Sequence, residues 1–126
     1  MGELNVKKLS ASSDRIEYIA QLVGDIEALD RMLKEGMFEK SPLHVGAEQE
    51  FCLVNEVWNP TNKADEVLAE INDDHFTNEL TRYNLEINLD PQVLEGTCFS
   101  KLHQDLNRLL QKAKEAAAKH GNKVIL

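Results

Sequence analysis

Apolar residues recur at helical spacing in three stretches of this chain and alternate with polar ones in two others, which sets the predicted elements. Ile16, Ile19, Leu22, Val23, Ile26, Leu29, Met32 and Leu33 follow a 3.6-residue period and predict a long amphipathic helix. Asp14 and Glu17 open it at capping-box spacing, and Gly36 closes it. Residues 1 to 12 ahead of it are polar and read as a loose arm. After Pro42 the run His44 to Val54 reads as a strand, with Val45, Ala47, Phe51 and Leu53 on one face and His44, Glu48, Glu50 and Cys52 on the other. The cluster Trp58-Asn59-Pro60-Thr61-Asn62 is a turn, and Ala64, Val67, Leu68 and Ile71 mark a short helix that Asn72-Asp73-Asp74-His75 breaks. Alternation returns from about Arg82, with Tyr83, Leu85, Ile87 and Leu89 opposite Asn84, Glu86 and Asn88, until Asp90-Pro91 stops it. A second long helix is predicted from Phe99 to His120, with Gly121 as its stop. Lys123-Val124-Ile125-Leu126 then begins a third, buried strand.

Two strands that are apolar on one face, interleaved with amphipathic helices, predict an α+β fold: an antiparallel sheet with helices packed on one face. The organisation expected is an N-terminal arm and helix over 1–42, followed by the start of a larger domain over 43–126. A last strand cut off at its first apolar triplet reads as a truncated chain.

Composition narrows the function classes. A length of 126 residues supports a real core. The net charge of −8 repels phosphate backbones, which argues against nucleic acid and suits divalent cations instead. Cys52 and Cys98 form no CxxC pair, so neither a zinc pattern nor a disulfide framework is indicated, and two free thiols fit a cytoplasmic protein. The N-terminus lacks the apolar core of a signal peptide, Val6 stands where a myristoylation motif needs Ser or Thr, and no apolar run reaches membrane-span length.

The candidate chemistry lies in the acids of the two strands. Glu48 and Glu50 stand two residues apart on one face, their α-carbons roughly 7 Å apart, and repel unless a cation or water intervenes. Glu86 is an acid on the polar face of the second strand. Glu79 lies an odd spacing before it, so the two share a site only if the chain near Leu80 to Arg82 bulges or is helical. The acidic knot at Asp73 fails as a calcium loop, with Asn78 at the glycine position and Asn84 at the bidentate glutamate position. His44 reads as a strand-entry histidine, Cys52 as packing, His75, His103 and His120 as surface or cap residues, and Trp58 and Phe99 as core or turn packing. Asn88 is a candidate for binding and orienting substrate or for orienting the metal ligands, with equal weight on the plainer reading of a strand-end polar residue.

The run Gly46-Ala47-Glu48-Gln49-Glu50-Phe51, then Glu79-Leu80 and Tyr83-Asn84-Leu85-Glu86-Ile87-Asn88 with Pro91 close behind, resembles the start of the glutamate–cysteine ligase family of carboxylate–amine ligase type. The resemblance covers about residues 43 to 126. It implies the N-terminal portion of a glutamine-synthetase-like catalytic domain, whose curved antiparallel sheet holds ATP and magnesium or manganese ions. It also implies an enzyme of glutathione biosynthesis that phosphorylates a carboxylate, typically of glutamate, which an amine such as cysteine then converts to an amide. Carried over by position, Glu48, Glu50, Glu79 and Glu86 are the implied metal ligands. Members are several times longer, so this chain by itself is expected to hold a partial, inactive site. The glycines are dispersed and form no P-loop, which agrees with nucleotide held through metals.

Two other classes compete with this reading. One is a non-catalytic acidic α/β module that binds a metal or a protein through the same face. The other is a helix-pairing domain that uses the first and last helices as an interface; a homo-oligomer is compatible with the ligase reading as well.

Overall fold

The computed structural model describes residues 12–126, so the polar arm expected ahead of the first helix lies outside the described residues except for Ser12. Two compact units, 12–43 and 44–126, make up the described chain. The first is built on helix α1, Ser12–Glu35. Its stop is chemical: Gly36 takes φ +67°, its N–H donates to the Leu33 carbonyl at 3.3 Å, and the Met37 N–H donates to Met32 at 3.0 Å. This pair of bonds is the Schellman closure, which needs a residue tolerant of the left-handed region. Exposed ion pairs Arg31–Glu35 and Lys34–Asp30 each join residues one turn apart, and no residue of α1 is buried.

The second unit carries strands β1 (His44–Val45), β2 (Glu48–Val54), β3 (Phe76–Asn78), β4 (Asn84–Asn88), β5 (Gln92–Val93) and β6 (Lys123–Ile125). Helices α2 (Ala64–Ile71) and α3 (Cys98–Lys119) complete it. A four-stranded antiparallel sheet runs in the order β3-β4-β2-β6, and β1 pairs with β5 in a separate ribbon. The single strand expected from His44 to Val54 is therefore two. Each piece takes a different partner, and the chain changes sheet at Gly46-Ala47. The sequence pattern does not predict β3 at all.

Alternation decides which face of the sheet is covered. Phe51 and Leu53 of β2, Leu85 and Ile87 of β4, and Phe76 of β3 are buried in one cluster with Ala64, Val67 and Ile71 of α2 and Leu102, Leu109, Ala113 and Ala117 of α3. Each fully buried Leu, Ile or Phe stabilises the fold by roughly 1.5–3 kcal/mol. The helices thus close the apolar face, as a one-sided antiparallel sheet requires. α3 ends on a glycine as α1 does: Gly121 takes φ +71°, and the Gly121 and Asn122 N–H groups donate to Ala118 and Ala117, both at 3.0 Å. β6, expected to be buried, is an edge strand with Val124 half-buried and Lys123 and Ile125 exposed. No described helix is long and apolar enough to cross a membrane.

Trp58, read as core or turn packing, belongs to the turn. It is exposed at φ +65°, and Lys123 Nζ lies 4.9 Å from its ring centroid.

Candidate functional site

The uncovered face of the sheet is built by the same two-residue period. Along β2 it carries Glu48, Glu50 and Cys52, along β4 Asn84, Glu86 and Asn88, and along β3 Thr77. Register then fixes who meets whom. Glu86 is paired with Glu50 on β2 and with Thr77 on β3, so Thr77, Glu86 and Glu50 form one row across three strands. Glu48 pairs with Asn88 in the next row on this face, and Cys52 with Asn84 in the row on the other side. Side chains directly opposite on antiparallel strands have Cβ atoms about 4.5–5.5 Å apart, and like charges in that relation destabilise.

Glu79 joins this row by a route the sequence did not show. The chain neither bulges nor stays helical between Glu79 and Glu86; it reverses, with Glu79 just past β3 and Glu86 inside β4. The Glu79 N–H donates to the Asn84 carbonyl at 3.3 Å, which continues the hairpin ladder by one step. Glu79 therefore shares the face of Thr77, two residues earlier. Carboxylate oxygens of Glu50, Glu79 and Glu86 all lie within 4.8 Å of one another.

The three acids differ in exposure. Glu50 is exposed and Glu79 half-buried, but Glu86, flanked on both sides in the sheet, keeps only 8% of its surface. Thr77 Oγ1 and Asn88 Nδ2 each donate to Glu86 Oε2 at 3.2 Å. Among the described residues no lysine, arginine or histidine pairs with Glu50, Glu79 or Glu86. A like-charge pair about 4 Å apart repels by ~1 kcal/mol in water and ~4 kcal/mol at an effective dielectric near 20, so this grouping is costly by itself. An all-oxygen set of this kind fits a hard divalent cation, whose ligands at roughly 2.0–2.6 Å lie about 3–5 Å from each other.

Glu48 stands outside that trio. It lines an open cavity of about 430 Å³ with Gly46, Ala47, Asn88, Leu89 and Pro91. Asn88 links the two places, since its amide reaches Glu86 while the residue also borders the cavity. His44, placed on the acidic face by alternation, does not belong to this sheet, because β1 pairs with β5. The Cys52 thiol donates to Asn84 Oδ1 at 3.1 Å.

Two residues escaped the sequence reading. Thr77 could have been found by counting back two from Glu79, had β3 been recognised. His75, read as a surface or cap residue, instead bridges Asp73 through Nδ1 at 2.7 Å and Asp90 through Nε2 at 3.2 Å, beside a smaller cavity of about 240 Å³. Lys112 of α3 donates to the other Asp73 oxygen at 2.7 Å. Asp73 is held well below the usual carboxylate range by Lys112 first and His75 second, and His75 is raised by Asp73 first and Asp90 second.

No protein family, curated protein or solved structure matches the chain.

Proposed function

We propose that the acidic face of residues 44–126 holds a divalent cation through Glu50, Glu79 and Glu86, with Glu48 beside them, and that it serves an ATP-dependent carboxylate–amine ligase of glutamate–cysteine ligase type. One observation carries the cation: Glu86 is buried against two other carboxylates with only neutral donors around it. A buried charge persists where it is paired or coordinates a metal. The oxygen-only donor set selects magnesium or manganese over softer ions. When bound, such an ion supplies neutralisation of phosphate charge during phosphoryl transfer.

The ligase reading is supported by the resemblance in Gly46–Phe51, Glu79 and Tyr83–Asn88, whose acids converge on one face although they come from different strands. Glutamate, or another carboxylate, and an amine such as cysteine are the proposed substrates. The cavity of about 430 Å³ is lined by Glu48 and by Asn88, and the Asn88 amide also donates to Glu86.

The test has two stages. Manganese titration followed by electron paramagnetic resonance should show an ion immobilised by the wild-type chain and not by Glu86→Gln. Amide formation from ATP, magnesium, glutamate and cysteine by the protein should then be lost in the same variant. Absence of any bound manganese would sink the cation reading. Metal binding without ATP-dependent amide formation, across a panel of carboxylates and amines, would leave the non-catalytic acidic module in its place.

A further inference from the structure

We propose that Thr77, acting with Asn88, is a positioning residue that fixes the Glu86 carboxylate by one oxygen and leaves the other for the cation. This rests on the metal reading above. Two donors converge on Glu86 Oε2, the Thr77 hydroxyl and the Asn88 amide, both at 3.2 Å. Oε1 has no hydrogen-bond partner among the described residues.

The hydroxyl has little freedom. Asn88 Nδ2 also donates to Thr77 Oγ1 at 3.4 Å, so one lone pair of that oxygen is occupied and its single proton is directed to Glu86. Asn88 is itself held by its backbone, whose N–H donates to the His75 carbonyl at 2.8 Å. Thr77 is β-branched and lies inside a strand, so its χ1 is restricted as well. The outcome is a closed triangle of three side chains on two strands, anchored by the direct Thr77–Glu86 pairing. Outer hydrogen bonds of this kind orient a metal ligand, and their removal typically weakens metal affinity by about 10- to 100-fold. Of the roles the sequence leaves open for Asn88, orienting substrate or orienting ligands, this arrangement is the second, since its amide donates to Glu86.

A merely structural Thr77 would be present for strand propensity, and the two roles predict opposite orders for two variants. Thr77→Val keeps the branched shape and deletes the hydroxyl. Thr77→Ser keeps the hydroxyl and gives up the branch. Positioning predicts manganese affinity weakened by roughly 10- to 100-fold in T77V and close to wild type in T77S. A strand-propensity role predicts T77V indistinguishable from wild type in manganese affinity and T77S the less stable of the two in metal-free melting. The measurement is manganese binding to the whole chain by titration calorimetry and paramagnetic resonance, with melting in chelator as the folding control. Wild-type binding with an unchanged T77V overturns the positioning role alone. A wild-type chain that takes up no manganese overturns the metal reading and this one with it.

Discussion

Glu50 and Glu86 stand directly opposite one another on neighbouring antiparallel strands, an arrangement of like charges that a fold selected for stability alone would avoid. Without metal, neutralising either one should therefore leave the fold unharmed. Glu50→Gln and Glu86→Gln are expected to change unfolding free energy in chelator by between zero and about 1 kcal/mol in the stabilising direction. In the Glu86→Gln variant the new amide would still accept from Thr77 and Asn88 through its carbonyl oxygen. Urea denaturation of both variants decides the point. A loss above about 1 kcal/mol in E86Q, outside the range of a cross-strand pair, would mean that its charge stabilises the metal-free fold.

With metal the ranking should invert. A ligand present at about a hundred times its dissociation constant stabilises the folded state by ~2.7 kcal/mol. For a unit of this size that corresponds to a rise in melting temperature of roughly 10 °C or more. Manganese should produce such a rise in the wild type, and little or none in Glu79→Gln or Glu86→Gln. Equal shifts in all three proteins would place the cation elsewhere on the chain.

The bridge Asp73–His75–Asp90 makes stability depend on pH from two sides. His75 is raised, so its contribution is complete below the unfolded histidine value near ~6.5 and is lost as pH climbs through its folded value. Asp73 is lowered, so its contribution is present above the unfolded value near ~3.9 and is lost as pH falls through its folded value. The two overlap between about pH 4 and 6.5. His75→Asn should flatten the alkaline limb of a stability-against-pH curve, and Asp73→Asn both limbs. An alkaline limb unaltered in His75→Asn would assign it to another group.

How far these features were legible in the sequence depends on whether contacts are local. The stripes Ala64, Val67, Ile71 and Leu102, Leu109, Ala113 were readable because one helix carries its own period. The acids on β2 and β4 were readable because alternation places them without knowledge of the partner strand. β3 was not, since Phe76–Asn78 is too short to show a period and follows the polar break at Asn72–His75. Losing β3 hid Thr77 and made the odd spacing of Glu79 and Glu86 look like an obstacle. In an antiparallel hairpin that spacing carries no parity penalty, because the turn resets the face. The change of partner at Gly46-Ala47 was invisible for a related reason: β5, which captures β1, lies beyond β4 in the chain.

The two faces of β4 make the sharpest contrast available, since Leu85 and Glu86 are adjacent in sequence. Leu85 is fully buried, paired with Phe51 across β2 and packed in the cluster with α2 and α3. Leu85→Ala removes apolar contact and leaves a cavity beside a strand that antiparallel partners hold on both edges, so collapse around it is limited. The expected loss is about 2–5 kcal/mol of unfolding free energy. Manganese affinity of the protein that remains folded should be unchanged, because the deletion is on the covered face. Glu86→Gln should do the opposite, sparing the fold and losing the metal. Parallel urea melts and manganese titrations of these two variants test whether one strand keeps its structural and its ligand-holding faces separate. Coupled losses in both measurements for either variant would show that it does not.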